Sequence, residues 1–377
     1  MRKVCVVIPS RSDYGSIKSA VKAINEKCEL QIVACGAALV EKYGYAIEYI
    51  KRDGFNVDYA VDMLIEGDTP LVMAKTTGLG VIELSSVFNR LKPDVILTVG
   101  DRYETMATAI CASYMNIPLA QTMCGEISGT VDETTRHAIT KMAHIHFPAS
   151  QDAYDRVLRM GEDPKHVYLV GCPRIDSVLN DKVQLDDLFT EYKGVGGIFP
   201  LSHFLLVSQH SVTTEYVKAR LQIEETLDAL NMLKMPTIML WSNPDAGSDA
   251  IAKGIRTFRE KNKSDWLHLF TNLPPEVYSA LMDKCSCLVG NSSSALREGA
   301  VIGVPAVNIG TRQNGRQHGD NVVDVPNRSE EILWAIQTQI EHGKYEPNYM
   351  YGDGHAGEKI ADILSTCDLN INKRMTY

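Results

Sequence analysis

The stretch VILTVGDRYETMATAICASYMNIPLAQT, residues 95–122, decides the fold class. It opens on an apolar run, Val95–Val99, halts at Gly100, and passes into Met106–Met115, a segment of helical length. A second short apolar run, Leu119–Thr122, follows. Short runs without polar alternation, bounded by Gly, Pro, Asp or Ser, are how strands buried on both faces read. Strand, helix and strand in so few residues imply a parallel pair with a right-handed crossover.

The same alternation extends in both directions. Toward the N-terminus lie the strand candidate Val4–Ile8, the helically spaced Ile17–Ile24 and the run Gln31–Ala34. Toward the C-terminus come a helix over Thr135–Met142 and the strand candidates His144–Phe147 and Val167–Val170. The pattern breaks over Asp176–Pro200, which is charged and then glycine-rich, so a linker is expected there. A second series then begins: Phe204–Val207, Thr237–Trp241, Leu267–Phe270, Cys287–Val289 and Ala306–Ile309, with a helix over Tyr216–Leu233. We therefore expect two Rossmann-like, doubly wound α/β domains, residues 1–178 and 179–354. The C-terminal segment 355–377, with a helix near Gly357–Leu364, is expected to pack back on the first. A cleft between two such domains would hold the ligand, and its residues should lie in strand-to-helix loops.

Composition narrows the function. With 377 residues, 45% hydrophobic and 23% charged, the chain is neither disordered, collagenous nor a coiled coil. A net charge of -9 argues against a nucleic-acid surface, where a basic face is expected. Nine cysteines, an odd number with no C-x-x-C pair, read as free buried thiols in a reducing compartment. The N-terminal apolar run is too short for a signal peptide, and no stretch approaching 18 apolar residues is apparent. A cytoplasmic protein with no membrane partner is expected.

Six loops carry candidate chemistry. Pro9–Gly15 follows the first strand; Ser12 or Asp13 can cap the next helix, and Arg11 sits where a phosphate or sugar could meet its start. Gly100–Glu104 sets Asp101 beside Arg102, either as a plain salt bridge or as a proton carrier with an anion holder. Cys124–Glu133 packs three carboxylates, Glu126, Asp132 and Glu133, into one loop with two glycines. Crowding of that kind raises carboxyl pKa values. His210, in QHSVTT at 209–214, ends a strand rather than lying on an apolar face. Gly290-Asn291-Ser292-Ser293-Ser294 would open a helix whose N–H groups cradle a diphosphate, with Glu298 available to ribose hydroxyls. Gly310–Arg316 adds Arg312 and Arg316. No metal-ligand spacing is present, and neither a P-loop nor a G-x-G-x-x-G is found.

Together these loops resemble the hydrolysing UDP-N-acetylglucosamine 2-epimerases of sialic-acid-type sugar biosynthesis. The resemblance spans nearly the whole chain. It rests on SRSDYG at 10–15, GDRYE at 100–104, GEISGTVDETTRHAITKMAHIH at 125–146, QHSVTT at 209–214, NPDAGS at 243–248, GNSSSALRE at 290–298 and GTRQNGR at 310–316. It implies a two-domain GT-B fold, no redox cofactor, and a homodimer or homotetramer. The implied reaction is anti elimination of UDP across C1–C2 to a 2-acetamidoglucal, then water addition releasing the free 2-epimer. Carried over by motif, Asp101, Glu126, Asp132 and His210 are catalytic. Arg11, Ser12, Asp13, Arg102 and Asn243 contact the nucleotide sugar, and Gly290, Ser292, Ser293, Glu298 and Arg312 hold UDP.

One departure stands out. Well-known members read H-I-E-G-G-E where this chain has Gln121-Thr122-Met123-Cys124-Gly125-Glu126, so Met123 replaces a carboxylate often given an acid/base role. Another carboxylate covers that role, or the substrate is a 2,4-diacetamido-6-deoxy sugar as in legionaminic acid synthesis, or catalysis is lost. A retaining GT-B glycosyltransferase and a non-catalytic UDP-sugar sensor are the competing readings.

Overall fold

The computed structural model describes residues 1–243 and 245–376; Pro244, inside the NPDAGS motif, and Tyr377 lie outside them. The first sheet holds β1 (Lys3–Ile8), β2 (Glu29–Cys35), β3 (Tyr59–Val61), β4 (Val95–Val99), β5 (Leu119–Thr122) and β6 (Ile145–Phe147). Their order is β3-β2-β1-β4-β5-β6, all parallel. The second sheet holds β7 (Gly194–Gly196), β8 (Leu205–Ser208), β9 (Thr237–Leu240), β10 (Leu267–Phe270), β11 (Cys287–Gly290), β12 (Ala306–Ile309) and β13 (Val322–Val325). Their order is β13-β12-β11-β8-β9-β10-β7, parallel except for β7. The two doubly wound sheets are those expected from the alternating pattern, and together they make the GT-B architecture that the resemblance implies.

Each sheet is buried on both faces, which is why its strands read as unbroken apolar runs. Val4, Val6 and Ile8 of β1 face one core, and Cys5 and Val7 face the other. The helix Arg11–Lys27 covers the first of these with Ile17, Ala20, Val21 and Ile24, the i, i+3, i+4, i+7 stripe of an amphipathic helix. Against it lies the C-terminal helix Ala356–Thr366, held at its start by Asp176, which accepts from Ala356 N at 3.0 Å and Gly357 N at 2.7 Å.

Several expectations need correction. Val167–Val170 makes only one bridge, Val167 to His146, because the chain turns off the sheet edge. Asp176 lies inside a buried helix, Pro173–Asn180, so the linker begins later. The edge strands β3, β7 and β13 were not anticipated. One helix, Pro70–Leu91, is by length and composition apolar enough to cross a membrane, contrary to the sequence reading. It packs on the helix Tyr103–Tyr114 through Thr76, Gly80, Leu84, Val87 and Phe88. All nine cysteines are free, and eight are buried.

Candidate active site

Doubly wound sheets bind ligands where strand order reverses, beyond the carboxyl ends of the strands. In the first sheet the order reverses between β1 and β4, and in the second between β8 and β11. The loops after those four strands are four of the six picked out above. They meet around one cavity, with an empty volume of about 1330 Å³ including the open solvent at its mouth.

The wall from the first domain sets three aspartates, Asp13, Asp101 and Asp132, among four arginines, Arg11, Arg102, Arg136 and Arg174. Its first loop is built on Ser10, which caps the helix Arg11–Lys27 in place of the expected Ser12 or Asp13. Ser10 Oγ accepts from Asp13 N at 3.2 Å, bonds the Asp13 carboxylate at 2.5 Å and meets Ser12 Oγ at 2.8 Å. Asp13 is thereby drawn into the cavity wall, only 8% exposed. Asp101, after β4, pairs with Arg136, whose side chain also donates to Glu126 O at 2.5 Å. Burial alone would raise the Asp101 carboxyl, but Arg136 and Arg316 outweigh it and hold it below the usual range. Arg102 is shared between Glu104, at 3.1 Å, and Asp245 of the second domain, at 3.0 Å.

The loop after β5 reaches across the cleft. Glu126 pairs with Arg316 and lies 3.9 Å from Arg297, both from the second domain. These arginines overcome burial and hold its pKa down. Gly129 N donates to Arg312 O at 3.0 Å, and a Cβ at Gly129 would sit 1.8 Å from Thr311 O. Only glycine permits that approach. Thr130 then caps the helix Val131–Met142, accepting from Asp132 N. Burial, then Asp101 and Asp245, push the Asp132 carboxyl up to about 6.

The wall from the second domain sets His210 and serine hydroxyls among Arg297, Arg312 and Arg316, with Asp245 and Glu298 beside them. His210 follows β8; its backbone N–H donates to Asn291 Oδ1 at 2.7 Å, and its Nδ1 accepts from Asn243 N at 3.1 Å. That bond leaves the ring proton on Nε2. Burial, with Arg312 nearby, pulls the pKa to about 3, so the ring is a neutral donor. Arg312 lines the cavity and donates to Asn291 O at 3.1 Å. After β11, turns run through Ser293–Arg297 and the helix starts only at Glu298, so no helix opens at Ser292. Hydroxyls of Ser292, Ser293 and Ser294, rather than a helix terminus, face the cavity.

Residues 22–365 match the family described as UDP-N-acetylglucosamine 2-epimerase. The chain belongs to that family. It is 31% identical over 382 residues, all of both chains, to the UDP-N,N'-diacetylbacillosamine 2-epimerase (hydrolyzing) of Legionella pneumophila. It is 27% identical to the UDP-N-acetylglucosamine 2-epimerase of Neisseria meningitidis serogroup B, over 99% of this chain and 98% of that one. Its fold matches the Methanocaldococcus jannaschii UDP-GlcNAc 2-epimerase crystallised with UDP-GlcNAc and UDP. The TM-score is 0.80 at 18% identity, covering 96% of this chain and 99% of that one.

For this epimerase-family site, the cavity gathers Arg11, Ser12, Asp13, Asp101, Arg102, Asp132, His210, Asn243, Ser292, Ser293, Glu298 and Arg312. Glu126 and Gly290 do not line it. Glu126 stands behind the wall as an ion-paired anchor, and Gly290 lets β11 pass close to Ser208 O, 2.2 Å from any Cβ placed there. Glu298 is buried, with Oε1 3.4 Å from Arg174 Nε and Oε2 bonded to no side chain or backbone group among the described residues. That second oxygen lies 3.9 Å from Arg297 Nε. Arg136, Arg174 and Arg297 organise the site without having been assigned to it. Met123, in the left-handed region at φ +52°, turns its sulfur to Arg297 Nη1 at 2.8 Å. No group of three or more His, Cys, Asp or Glu suited to a metal occurs among the described residues.

Proposed function

We propose that this UDP-sugar 2-epimerase is of the hydrolysing type, releasing UDP and the free 2-epimer of a UDP-N-acetylhexosamine. From UDP-N-acetylglucosamine the product is N-acetylmannosamine, a precursor for nonulosonic acids. The observation that carries this reading is what one cavity brings together: three aspartates of the first domain facing a neutral imidazole donor, arginine and serine hydroxyls of the second.

The C2 proton of the sugar is not acidic, so departure of the diphosphate must lead. His210 Nε2–H, Arg312 and the serine hydroxyls stabilise the charge that develops on the leaving oxygen. A carboxylate opposite balances the developing oxocarbenium ion and takes the C2 proton. Water then adds at C1 of the resulting glycal. The reaction is redox-neutral, so it asks for no redox cofactor.

A 4-acetamido-6-deoxy sugar is the second substrate to try. The Legionella relative is named for UDP-N,N'-diacetylbacillosamine, and Met123 makes this cavity less acidic than the H-I-E-G-G-E pattern would. Proton NMR in deuterated water with both UDP-sugars tests the proposal. UDP release with a manno-configured free sugar deuterated at C2 supports hydrolysing epimerisation, and the faster substrate names the pathway. A UDP-linked epimer instead of free sugar, or UDP binding with no turnover of either, would sink it.

A further inference from the structure

Seven carboxylates line or back the cavity, and five of them are neutralised. Asp101 pairs with Arg136, Glu104 and Asp245 with Arg102, Glu126 with Arg316, and Glu298 with Arg174. Among the described residues, Asp13 and Asp132 alone of the seven take part in no ion pair. A carboxylate locked to a guanidinium is a poor proton carrier, because protonation forfeits the pair. The two that are free therefore stand apart in chemistry as well as in geometry.

Their placement follows from the strand order. Asp13 stands in the first turn of the helix reached by the loop after β1 and Asp132 in the first turn of the helix reached by the loop after β5, with β4 between the two strands. At roughly 4.8 Å per strand, the two loops start about 10 Å apart, leaving room for one sugar ring. Asp101, fixed to Arg136, lies in the loop between.

We propose that Asp13 and Asp132 form the proton-transfer pair of the reaction, flanking the sugar ring, with Asp13 supplying the acid that position 123 lacks. This rests on the hydrolysing reading above. In the first step the ionised Asp132 takes the C2 proton. The C–H electrons become the C1=C2 bond, and the C1–O pair leaves on UDP. In the second step the protonated Asp13 delivers its proton to C2 from the other face. The water oxygen bonds to C1 and its released proton restores Asp13. Asp132 returns the C2 proton to solvent or UDP.

The electrostatics agree with those roles. Burial first, then Glu104 and Asp101, push the Asp13 carboxyl up to about 7, against Arg102 and the Ser10 hydrogen bond, which lower it. Buried Cys35 also faces it. With Asp132 at about 6, the form with Asp132 ionised and Asp13 protonated is most populated between the two values.

The test uses the full-length protein, Asp13→Asn and Asp13→Glu, with both UDP-sugars in deuterated water. Asp13→Asn should retain UDP affinity and release UDP together with the unsaturated glycal, while free 2-epimer falls by at least ~100-fold. Asp13→Glu should restore part of the free sugar. Free sugar within about tenfold of wild type, below the usual loss for an acid/base group, overturns the proposal. So does a loss of UDP affinity and melting temperature equal to the loss of rate, which would make Asp13 a structural cap. If the wild type turns over neither sugar, the hydrolysing reading fails and the protonation state decides the rest. A protonated-carboxyl infrared band between pH 6 and 7 that is weaker in Asp13→Asn than in the wild type upholds Asp13 as a poised acid, and a band of equal strength in the two overturns it.

Discussion

The two halves of the cleft are built from the same kind of sheet, and both line the cavity with arginines, yet they set different partners among them. The first half adds Asp13, Asp101 and Asp132; the second adds His210 and three serines, with Asp245 and Glu298. The first keeps its carboxylates apart with arginines, one of its own (Arg136) and others borrowed across the cleft (Arg316, Arg297). The second keeps its histidine neutral by burying it under an arginine. On the proposed reading, proton chemistry belongs to the aspartates of one half and leaving-group stabilisation to the histidine and serines of the other, and the halves are joined where a charge of one answers a charge of the other. If that division is real, substitutions should separate into distinct phenotypes.

The largest effect should come from the joint itself. Glu126→Ala leaves Arg316 buried with no ion-pair partner among the described residues and Arg297 with only Glu298, at 3.9 Å, and breaking a buried pair by removing one partner costs about 3–5 kcal/mol. Denaturant melts of the purified variant should show that loss, together with weaker UDP binding as the cleft loosens. A variant as stable as wild type would mean that Glu126 is not the anchor between domains.

Next comes the aspartate half alone. Asp132→Asn should lower turnover by at least ~100-fold while UDP affinity stays at the wild-type value. The pH profile sharpens this. Both free carboxyls are raised, so kcat/KM should climb as Asp132 ionises through about 6 and fall as Asp13 ionises through about 7. Asp13→Asn should remove the falling limb. A profile flat between pH 5 and 8 in the wild type would place the protons on other groups.

The histidine half should answer in binding instead. Arg312→Ala and His210→Ala each remove a donor aimed at the diphosphate, and hydrogen bonds to charged groups contribute about 1.5–3 kcal/mol. Calorimetry with UDP should therefore show roughly tenfold or greater weakening. Unchanged affinity in both variants would move the nucleotide elsewhere.

These contrasts also mark what could be read from the chain alone. Buried parallel strands were legible because their apolar runs are continuous and end at Gly, Pro, Asp or Ser. The edge strands were not: Gly194–Gly196 is wholly exposed and has no side-chain pattern to betray it. The cavity loops were legible because polar residues crowded at strand ends have few other reasons to be there. Arg136 and Arg297 were not, since an arginine on a helix or in a turn reads as solvated until its burial partner is known. Arg136 is 2% exposed, and nothing in VDETTRHAITKM distinguishes it from a surface residue. The start of the helix after Ser292 was misplaced because a chain of turns, Ser293–Arg297, has the same composition as a first helical turn.

The smallest predicted effect concerns how the aspartate half is braced, and it has no counterpart in the other half. Behind the helix Val131–Met142, buried Glu162 accepts from His146 at 2.9 Å and from Lys141 and Lys373 at 2.5 Å each. Lys373, near the end of the chain, also donates to Thr140 O at 2.9 Å and Ala143 O at 2.6 Å, the unsatisfied carbonyls at that helix's C-terminus. Thr376 N then bonds Gly161 O, closing the tail over the cluster. Burial alone would raise Glu162, but its three donors outweigh it and bring the pKa to about 2. A depressed carboxyl stabilises the fold above its unfolded value, 4.5, and that stability drains away as pH falls toward about 2. Lys373→Met should therefore cost about 1–2 kcal/mol at neutral pH, a cost that shrinks as the acid limb is descended. UDP affinity should not change, because the brace lies on the far end of the helix that carries Asp132. Equal melting curves for variant and wild type at pH 7 would show that the C-terminal tail rests on this half of the molecule without bracing it.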